Sequence, residues 1–117
     1  MSETIKPVLA KKKPSFYTKV AKQYPEVIAA VENLGATLRT AGPLDEKTSQ
    51  LIQLGAAASQ QSEGSVVSHT RRAIQAGATP EEISHALLLL VSTIGFPQTM
   101  AAMSWAKDVM EKKPKAK

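Results

Sequence analysis

Apolar residues recur at helical spacing along most of the chain, and this pattern predicts helices with almost no strand. Two segments that meet at Pro25 have apolar residues three or four positions apart: Phe16, Tyr17, Val20, Ala21 and Tyr24, then Val27, Val31, Leu34 and Leu38. Asp45 is a good N-cap for a third helix, whose apolar positions are Leu51, Ile52, Leu54, Ala57 and Ala58. We therefore predict an all-α fold, a compact bundle of about six helices.

The second half of the chain carries clear helix boundaries. Thr79, Pro80 and Glu82 form the pattern of an N-cap, a proline at the first helical position and a glutamate that completes a capping box. Gly77 suits the left-handed end of the preceding helix. Residues 83–94 are apolar on nearly every side, so we expect a helix that is buried all round. In so short a chain, such a helix favours a homo-oligomer, because one small domain offers few interior positions.

Gly55 lies inside the predicted third helix. A glycine at such a position costs about 1 kcal/mol relative to alanine. We therefore expect another helix to approach closely at Gly55.

Residues 62–77 are predicted to form a helix with polar side chains along one face. Positions three, four and three residues apart place them in a single stripe, which consists of Ser62, Ser65, His69 and Arg72. Val66, Ala73 and Ile74 are expected to face apolar neighbours. This stripe is the place in the chain where we expect chemistry.

The residues of this helix have both functional and structural interpretations. His69 could transfer protons, because imidazole titrates near neutral pH, or it could be a hydrogen-bonded histidine of the core. Arg72 could bind a substrate carboxylate through two parallel hydrogen bonds, or it could face solvent. Glu63 could contact substrate, although acids are common in a first helical turn for electrostatic reasons. Ser62 suits an N-cap, a role that is compatible with lining a pocket.

Length and charge limit the other possibilities. The 117 residues fit a basic N-terminal tail (residues 1–14), a single helical domain (residues 15–112) and a basic C-terminal tail (residues 113–117). The net charge of +5 comes from the ends, because residues 23–110 alone carry −3. No aromatic residues alternate with the lysines, so we expect binding to neither nucleic acid nor membrane.

The chain contains no cysteine, which excludes disulfides, thiolate nucleophiles and cysteine-bound zinc. His69 and His85 lie sixteen residues apart with no carboxylate at ligand spacing, so we expect no metal and no cofactor. The first residues do not resemble a secretory signal, and the leucine-rich segment is too short to span a bilayer. We therefore expect a cytoplasmic protein.

Residues 44–106 resemble the carboxymuconolactone decarboxylase and alkylhydroperoxidase family. The resemblance is most specific in AGATPEEISHALLL, in the Gly95-Phe96-Pro97 break and in the helix with the polar stripe. It implies an all-α fold that assembles as a trimer or hexamer. In the redox branch of the family, eleven residues separate a glutamate from a Cys-x-x-Cys-x-x-x-His motif that follows it.

At these motif positions the chain keeps only the histidine. His69 stands at the histidine position, Ser62 and Ser65 at the two cysteine positions, and Gln50 at the glutamate position. Serine cannot form the disulfide on which thiol peroxidase turnover depends, and Gln50 cannot exchange a proton at neutral pH. Thiol peroxidase activity is therefore not expected.

Three hypotheses about function follow from the resemblance. The decarboxylase branch implies a lyase-like enzyme that performs acid–base chemistry on a small organic acid or lactone. His69 would transfer the proton, in a pocket formed with Gln50, Ser62 and Ser65. The first alternative is a non-catalytic oligomeric scaffold that binds a small molecule. The second is an antioxidant of the peroxiredoxin or alkylhydroperoxidase type, which the family label alone suggests.

Overall fold

A computed structural model of the chain describes residues 16–111, and the regular secondary structure in this range is helical. The helices are α1 (Phe16–Gln23), α2 (Pro25–Arg39), α3 (Glu46–Ser59), α4 (Glu63–Gln75), α5 (Pro80–Leu88), α6 (Val91–Ile94) and α7 (Phe96–Met110). The all-α prediction is confirmed. None of the described helices is long and apolar enough to cross a membrane. The predicted tails lie outside the described residues.

The described residues fall into two compact units. We call residues 16–43, with α1 and α2, the helical hairpin, and residues 44–111, with α3 to α7, the core unit. The interpretation of residues 15–112 as one domain stays a prediction.

The helical hairpin consists of two helices in contact with each other. Pro25 begins α2, as predicted, and the Tyr17 hydroxyl donates a hydrogen bond to the Glu32 carboxylate. None of the residues of α1 or α2 is buried. The apolar stripe predicted on α2 is present but exposed, and it consists of Val27, Val31, Leu34 and Leu38.

The core unit packs four of its helices around one hydrophobic core. Helix α3 packs against α4, α4 against α7, and α5 against both α3 and α7. The buried apolar residues are Leu54, Ala57, Ala58, Val66, Ala73, Ala78, Ile83, Leu87, Ala102, Ala106 and Val109. Six of these eleven residues are alanines, so small side chains fill much of the core between α3, α4 and α7.

Two predicted N-caps are confirmed. The Asp45 side chain accepts a hydrogen bond from the Thr48 N–H at 2.8 Å at the start of α3. At the start of α5, Thr79 Oγ1 accepts from the Glu82 N–H at 3.0 Å, and the Glu82 carboxylate accepts from the Thr79 N–H at 2.9 Å. Lys47 lies 3.1 Å from the Glu82 carboxylate and so links α3 to α5.

These contacts lower the pKa of both carboxyl groups. Hydrogen bonds from Thr48 lower the pKa of Asp45, and the nearby Lys47 adds a smaller effect. The Thr79 N–H, followed by Lys47, lowers the pKa of Glu82. Both carboxylates are therefore stabilised in the charged form at the first turn of a helix.

Of the predictions made for Gly77 and Gly55, the first is confirmed and the second is wrong. Gly77, at φ +101°, follows α4 in the left-handed region, as predicted. The close helix approach predicted at Gly55 is wrong. A Cβ atom at Gly55 would meet Leu90 Cδ2 at 3.9 Å, which is an ordinary van der Waals contact.

The prediction of one continuous helix over residues 83–94 is also wrong, whereas its burial on all sides, which was expected to involve partner subunits, stays a prediction. Helix α5 ends at Leu88, and α6 begins at Val91 after a turn. Leu87 is buried, whereas Leu88 is 51% and Leu89 60% exposed. Successive helical residues point about 100° apart, so the face of α5 that packs on α3 and α7 cannot bury three leucines in a row.

Candidate functional site

The helices α3 and α4 bring the candidate residues together. The turn between them, residues 60–62, includes Gln61 at φ +55°, an uncommon conformation for a residue other than glycine. The Gln61 side chain donates hydrogen bonds to the carbonyl oxygens of Ala58, at 2.8 Å, and Gln98, at 3.1 Å. These contacts stabilise the turn that returns α4 along α3, and they attach it to α7.

Gln50 and His69 are in direct contact. His69 Nδ1 on α4 lies 2.8 Å from Gln50 Oε1 on α3. Gln50 is fully buried, whereas His69 is half-buried. The structure thus places the amide at the glutamate position of the family motif within hydrogen-bond distance of the motif histidine.

A carboxylate lies on the other side of the Gln50 amide. Gln50 Nε2 donates a hydrogen bond to Glu46 Oε2 at 2.9 Å. Glu46 is exposed in the first turn of α3, one helical turn before Gln50. Three side chains, Glu46, Gln50 and His69, therefore form a row that leads from solvent through a buried amide to an imidazole.

The other candidate residues lie along α4. Ser62 is the half-buried N-cap residue, but its side chain makes no capping hydrogen bond. Glu63 and Ser65 are exposed in the first turn, and Arg72 is half-buried near the end of the helix. Their suggested roles as pocket and substrate-binding residues stay predictions.

The apolar positions of α4 beside the polar stripe behave largely as expected. Val66 and Ala73 are buried in the core, as predicted. Ile74, which was also expected to face apolar neighbours, is 40% exposed. Helix α4 thus presents a narrow and mainly apolar strip to α3 and α7, directly beside the row of polar candidate residues.

Glu46 was not among the predicted site residues. The carboxylate predicted to contact substrate was Glu63, which adjoins Ser62. Glu46 stands four residues before Gln50, the spacing at which side chains on a helix are neighbours. That spacing is the signal that could have identified it.

A pocket of about 370 Å³ lies elsewhere in the core unit, on α5 and α7. It is lined by Pro80, Glu81, Ser84, His85, Leu88 and Met103, a set that includes none of the predicted site residues. Among residues 16–111, no three His, Cys, Asp or Glu side chains are close enough together to hold a metal ion.

Comparison with known proteins identifies the family. The model of the "Carboxymuconolactone decarboxylase family" matches residues 25–108, from the start of α2 into α7. The chain therefore belongs to the carboxymuconolactone decarboxylase family, as the resemblance predicted. The match begins before residue 44, where the motifs recognised in the sequence begin.

Two relatives and one solved structure are similar to this chain. Two uncharacterized proteins of Methanocaldococcus jannaschii are 33% identical over 85 residues and 32% identical over 90. These matches cover 72% and 77% of this chain and 82% and 84% of the relatives. The crystal structure of a carboxymuconolactone decarboxylase family protein from Legionella pneumophila in its apo form superposes with a TM-score of 0.69 at 24% identity. That superposition covers 92% of this chain and 95% of the other. It supports the fold alone.

Proposed function

We propose that this protein is an enzyme of the carboxymuconolactone decarboxylase type that transfers protons on a small organic acid or lactone through His69. The observation that supports the proposal is the contact of 2.8 Å between His69 Nδ1 and Gln50 Oε1. A hydrogen bond at one imidazole nitrogen orients the ring, and in this proposal Nε2 is the atom that exchanges the proton with substrate. Gln50, being fully buried, holds this orientation firmly.

The amide at position 50 suits a group that alternates between neutral and charged forms. Gln50 Oε1 accepts the Nδ1–H hydrogen bond whether or not Nε2 carries a proton. His69 can therefore remove a proton next to a substrate carbonyl. In a decarboxylation, which is a separate reaction, the bond between carbon and carboxylate breaks, its electron pair stays on that carbon, and His69 that has taken a proton from solvent donates it there. A carboxylate at position 50 would favour imidazolium more strongly than the neutral amide does.

The polar residues of α4 supply the remaining parts of this proposal. Arg72 would bind a substrate carboxylate, and Glu63 would contact a polar group of the substrate. Ser62 and Ser65 would line the pocket at the positions of the family cysteines. No step uses a thiol, so reduction of peroxides is not part of the proposed activity.

Hydrogen exchange into small molecules tests this proposal. The purified protein would be incubated in deuterium oxide with a panel of small lactones and carboxylic acids, and NMR would follow deuterium uptake and release of carbon dioxide. The His69→Asn variant keeps an N–H group near the position of Nδ1 but removes the basic nitrogen. We expect it to lose turnover by at least about a hundredfold.

His85→Asn is the matched control, because His85 is the second histidine of the chain and lies on α5. It should keep the activity of the unmodified protein. Full turnover by His69→Asn would contradict the proposed role of His69. Peroxide turnover with a dithiol donor would contradict the exclusion of thiol chemistry.

A second candidate function is a non-catalytic scaffold that binds a small ligand. The pocket on α5 and α7 favours this candidate, because its lining includes none of the motif positions. A ligand that binds there should bind His69→Asn as tightly as the unmodified protein, and Leu88→Arg should abolish the binding. Dependence of ligand binding on His69 would instead favour the enzyme.

We further propose that the chain assembles as a homotrimer or homohexamer. The support is the exposed apolar surface, on the stripe of α2 and on Leu88 and Leu89. Light scattering coupled to size-exclusion chromatography should give three or six times the chain mass of 12.5 kDa. A monomer at micromolar concentration would contradict this proposal.

A further inference from the structure

We propose that Glu46 is a positioning residue whose carboxylate sets the orientation of the Gln50 amide and, through it, the tautomer of His69. The inference rests on the proposed function, in which His69 transfers protons. It adds to that function a residue that acts through another and does not touch substrate.

The geometry that carries the inference is a pair of hydrogen bonds at opposite ends of one amide. Gln50 Nε2 lies 2.9 Å from Glu46 Oε2, and Gln50 Oε1 lies 2.8 Å from His69 Nδ1. The two ends of a glutamine amide have nearly the same shape, so packing alone does not decide which end faces the imidazole. Its two polar partners make that decision.

Glu46 has only one way to bond to this amide. An ionised carboxylate accepts hydrogen bonds and donates none, so the NH₂ end of Gln50 must face Glu46. The carbonyl end then faces His69, and because a carbonyl oxygen only accepts, Nδ1 must carry a hydrogen. The reverse orientation would place the carbonyl oxygen of Gln50 against the carboxylate and lose a charge-assisted hydrogen bond.

This orientation determines which imidazole nitrogen can act as a base. With its hydrogen on Nδ1, neutral His69 carries its lone pair on Nε2. If the amide turned over, its NH₂ group would donate to Nδ1 and the ring hydrogen would move to Nε2. That second tautomer cannot accept a proton at Nε2. The carboxylate of Glu46 therefore maintains the tautomer on which the proposed proton transfer depends.

The position of Glu46 makes it suited to this role. It is exposed, so its charge is solvated at little cost, while the amide it orients is buried. The spacing of four residues within α3 keeps the two side chains adjacent. A surface pair of this kind that merely stabilised α3 would leave the tautomer of His69 unchanged.

Long-range proton–nitrogen NMR spectra test the inference directly, because they distinguish Nδ1–H from Nε2–H imidazole. The chain has two histidines, and His85→Asn assigns their signals. At a pH of about 8.5, where histidines are normally neutral, we expect His69 in the Nδ1–H form by about tenfold or more. This preference is the size expected from one hydrogen bond to a charged group.

Glu46→Gln is the decisive variant. Glutamine keeps the size and hydrogen-bonding capacity of glutamate, but it can donate as well as accept, so both orientations of Gln50 retain a partner. We expect the tautomer preference of His69 to fall to about threefold or less, with similar loss in Glu46→Ala. Glu26→Gln, which changes the first-turn glutamate of α2, is the matched control and should leave the spectrum of His69 unchanged.

The outcomes separate this inference from the proposed function. An unchanged Nδ1–H preference in Glu46→Gln, or an Nε2–H tautomer in the unmodified protein, would overturn the role of Glu46 while leaving the loss of activity in His69→Asn intact. Conversely, full activity of His69→Asn would remove the proposed function even if the tautomer responded as expected. Where turnover is detected, Glu46→Gln should lower kcat by the fraction of Nδ1–H lost, with KM unchanged.

Discussion

The helical hairpin and the core unit both contain rows of apolar residues at helical spacing, but only the core unit buries its apolar residues. Leu34 on α2 and Leu54 on α3 both belong to apolar rows at helical spacing. Leu54 is fully buried, whereas Leu34 is 57% exposed. A periodic row of apolar residues therefore shows which side of a helix is apolar, but it does not show what covers that side.

The hairpin consequently lacks an evident source of stability of its own. Helices shorter than about 12 to 15 residues are marginal in water without tertiary contacts, and α1 has 8 residues. Neither hairpin helix buries a side chain, whereas α3, α4, α5 and α7 each bury at least two. We expect other copies of the chain to pack against the apolar stripe of α2, in keeping with the proposed homo-oligomer.

The largest expected effect comes from a matched pair of leucine truncations. Leu54→Ala should lower the free energy of unfolding by about 2–5 kcal/mol, because it leaves a cavity in the core. At protein concentrations low enough to keep the chain monomeric, Leu34→Ala should change it by no more than about 0.5 kcal/mol, and the effect should grow as the proposed oligomer forms. Urea denaturation followed by circular dichroism measures both. A large loss for Leu34→Ala that depends on protein concentration would show that a partner buries the hairpin.

Removal of a helix cap should affect the stability of the two units differently, and this effect should be smaller than that of the leucine truncations. Thr79→Ala should destabilise the core unit by about 1 kcal/mol, because the Glu82 N–H loses its acceptor. Thr79→Ser keeps that acceptor and should recover most of the loss. Helix α2 begins after Tyr24 without a side-chain cap, so Tyr24→Ala should show no comparable capping effect in the same unfolding assay. Equal effects at Thr79 and Tyr24 would contradict this contrast.

Replacing a glycine in the middle of a helix by alanine should increase stability, unlike the substitutions described above. Gly55→Ala should stabilise the core unit by about 0.5–1 kcal/mol, since its Cβ would make only ordinary contact with Leu90. In the hairpin, the Cβ of Gly35→Ala would lie 3.2 Å from Arg39 Nη1, the mobile end of a long side chain. This variant should increase helicity without shifting the unfolding midpoint of the core unit. Destabilisation by Gly55→Ala would indicate a close neighbour in the assembled protein.

The smallest effect concerns the dependence of stability on pH. The pKa values of Asp45 and Glu82 are lowered by Thr48 and by Thr79 with Lys47, from usual values of 3.8 and 4.5. A carboxyl whose pKa is lowered on folding stabilises the native state above its usual pKa, and this contribution disappears as the pH falls through the lower, folded value. The core unit should therefore keep its stability from pH 7 to about 5 and lose part of it below.

Replacing Glu82 tests the source of this pH dependence. Glu82→Gln should flatten the decline measured by denaturation between about pH 5 and pH 3, because one of the two titrating groups is removed. Glu81→Gln changes the neighbouring glutamate of the same first turn and serves as the control. An identical decline in Glu82→Gln would show that other groups cause it.

Local features of the fold could be predicted from the sequence because their partners are close along the chain. The capping box of Thr79 and Glu82, the N-cap Asp45 and the left-handed Gly77 each depend on residues three or fewer positions away. The candidate site was predictable in part for the same kind of reason. Family motif spacing led to Gln50 and His69, and the structure brings these two together.

Features that depend on what packs against a helix could not be predicted. The leucines after Leu87 suggested burial all round, but the core unit covers one side of α5 and leaves Leu88 and Leu89 exposed. Gly55 suggested a close helix, but Leu90 lies at an ordinary distance. The spacing of four residues shows that Glu46 and Gln50 are neighbours on one helix, but it does not show that the Gln50 amide is buried between Glu46 and His69.

By itself, the sequence determined the helical class, the capped helix starts at Asp45 and Thr79, the family and the histidine on which the proposed function depends. These follow from short-range hydrogen bonding, from apolar periodicity and from motif spacing, all of which can be recognised from the order of residues in the sequence. Only the tertiary structure decided which apolar faces are buried and that Glu46, Gln50 and His69 form one hydrogen-bonded row. Burial and long-range contacts are set by the other helices in space, and a linear pattern does not specify them.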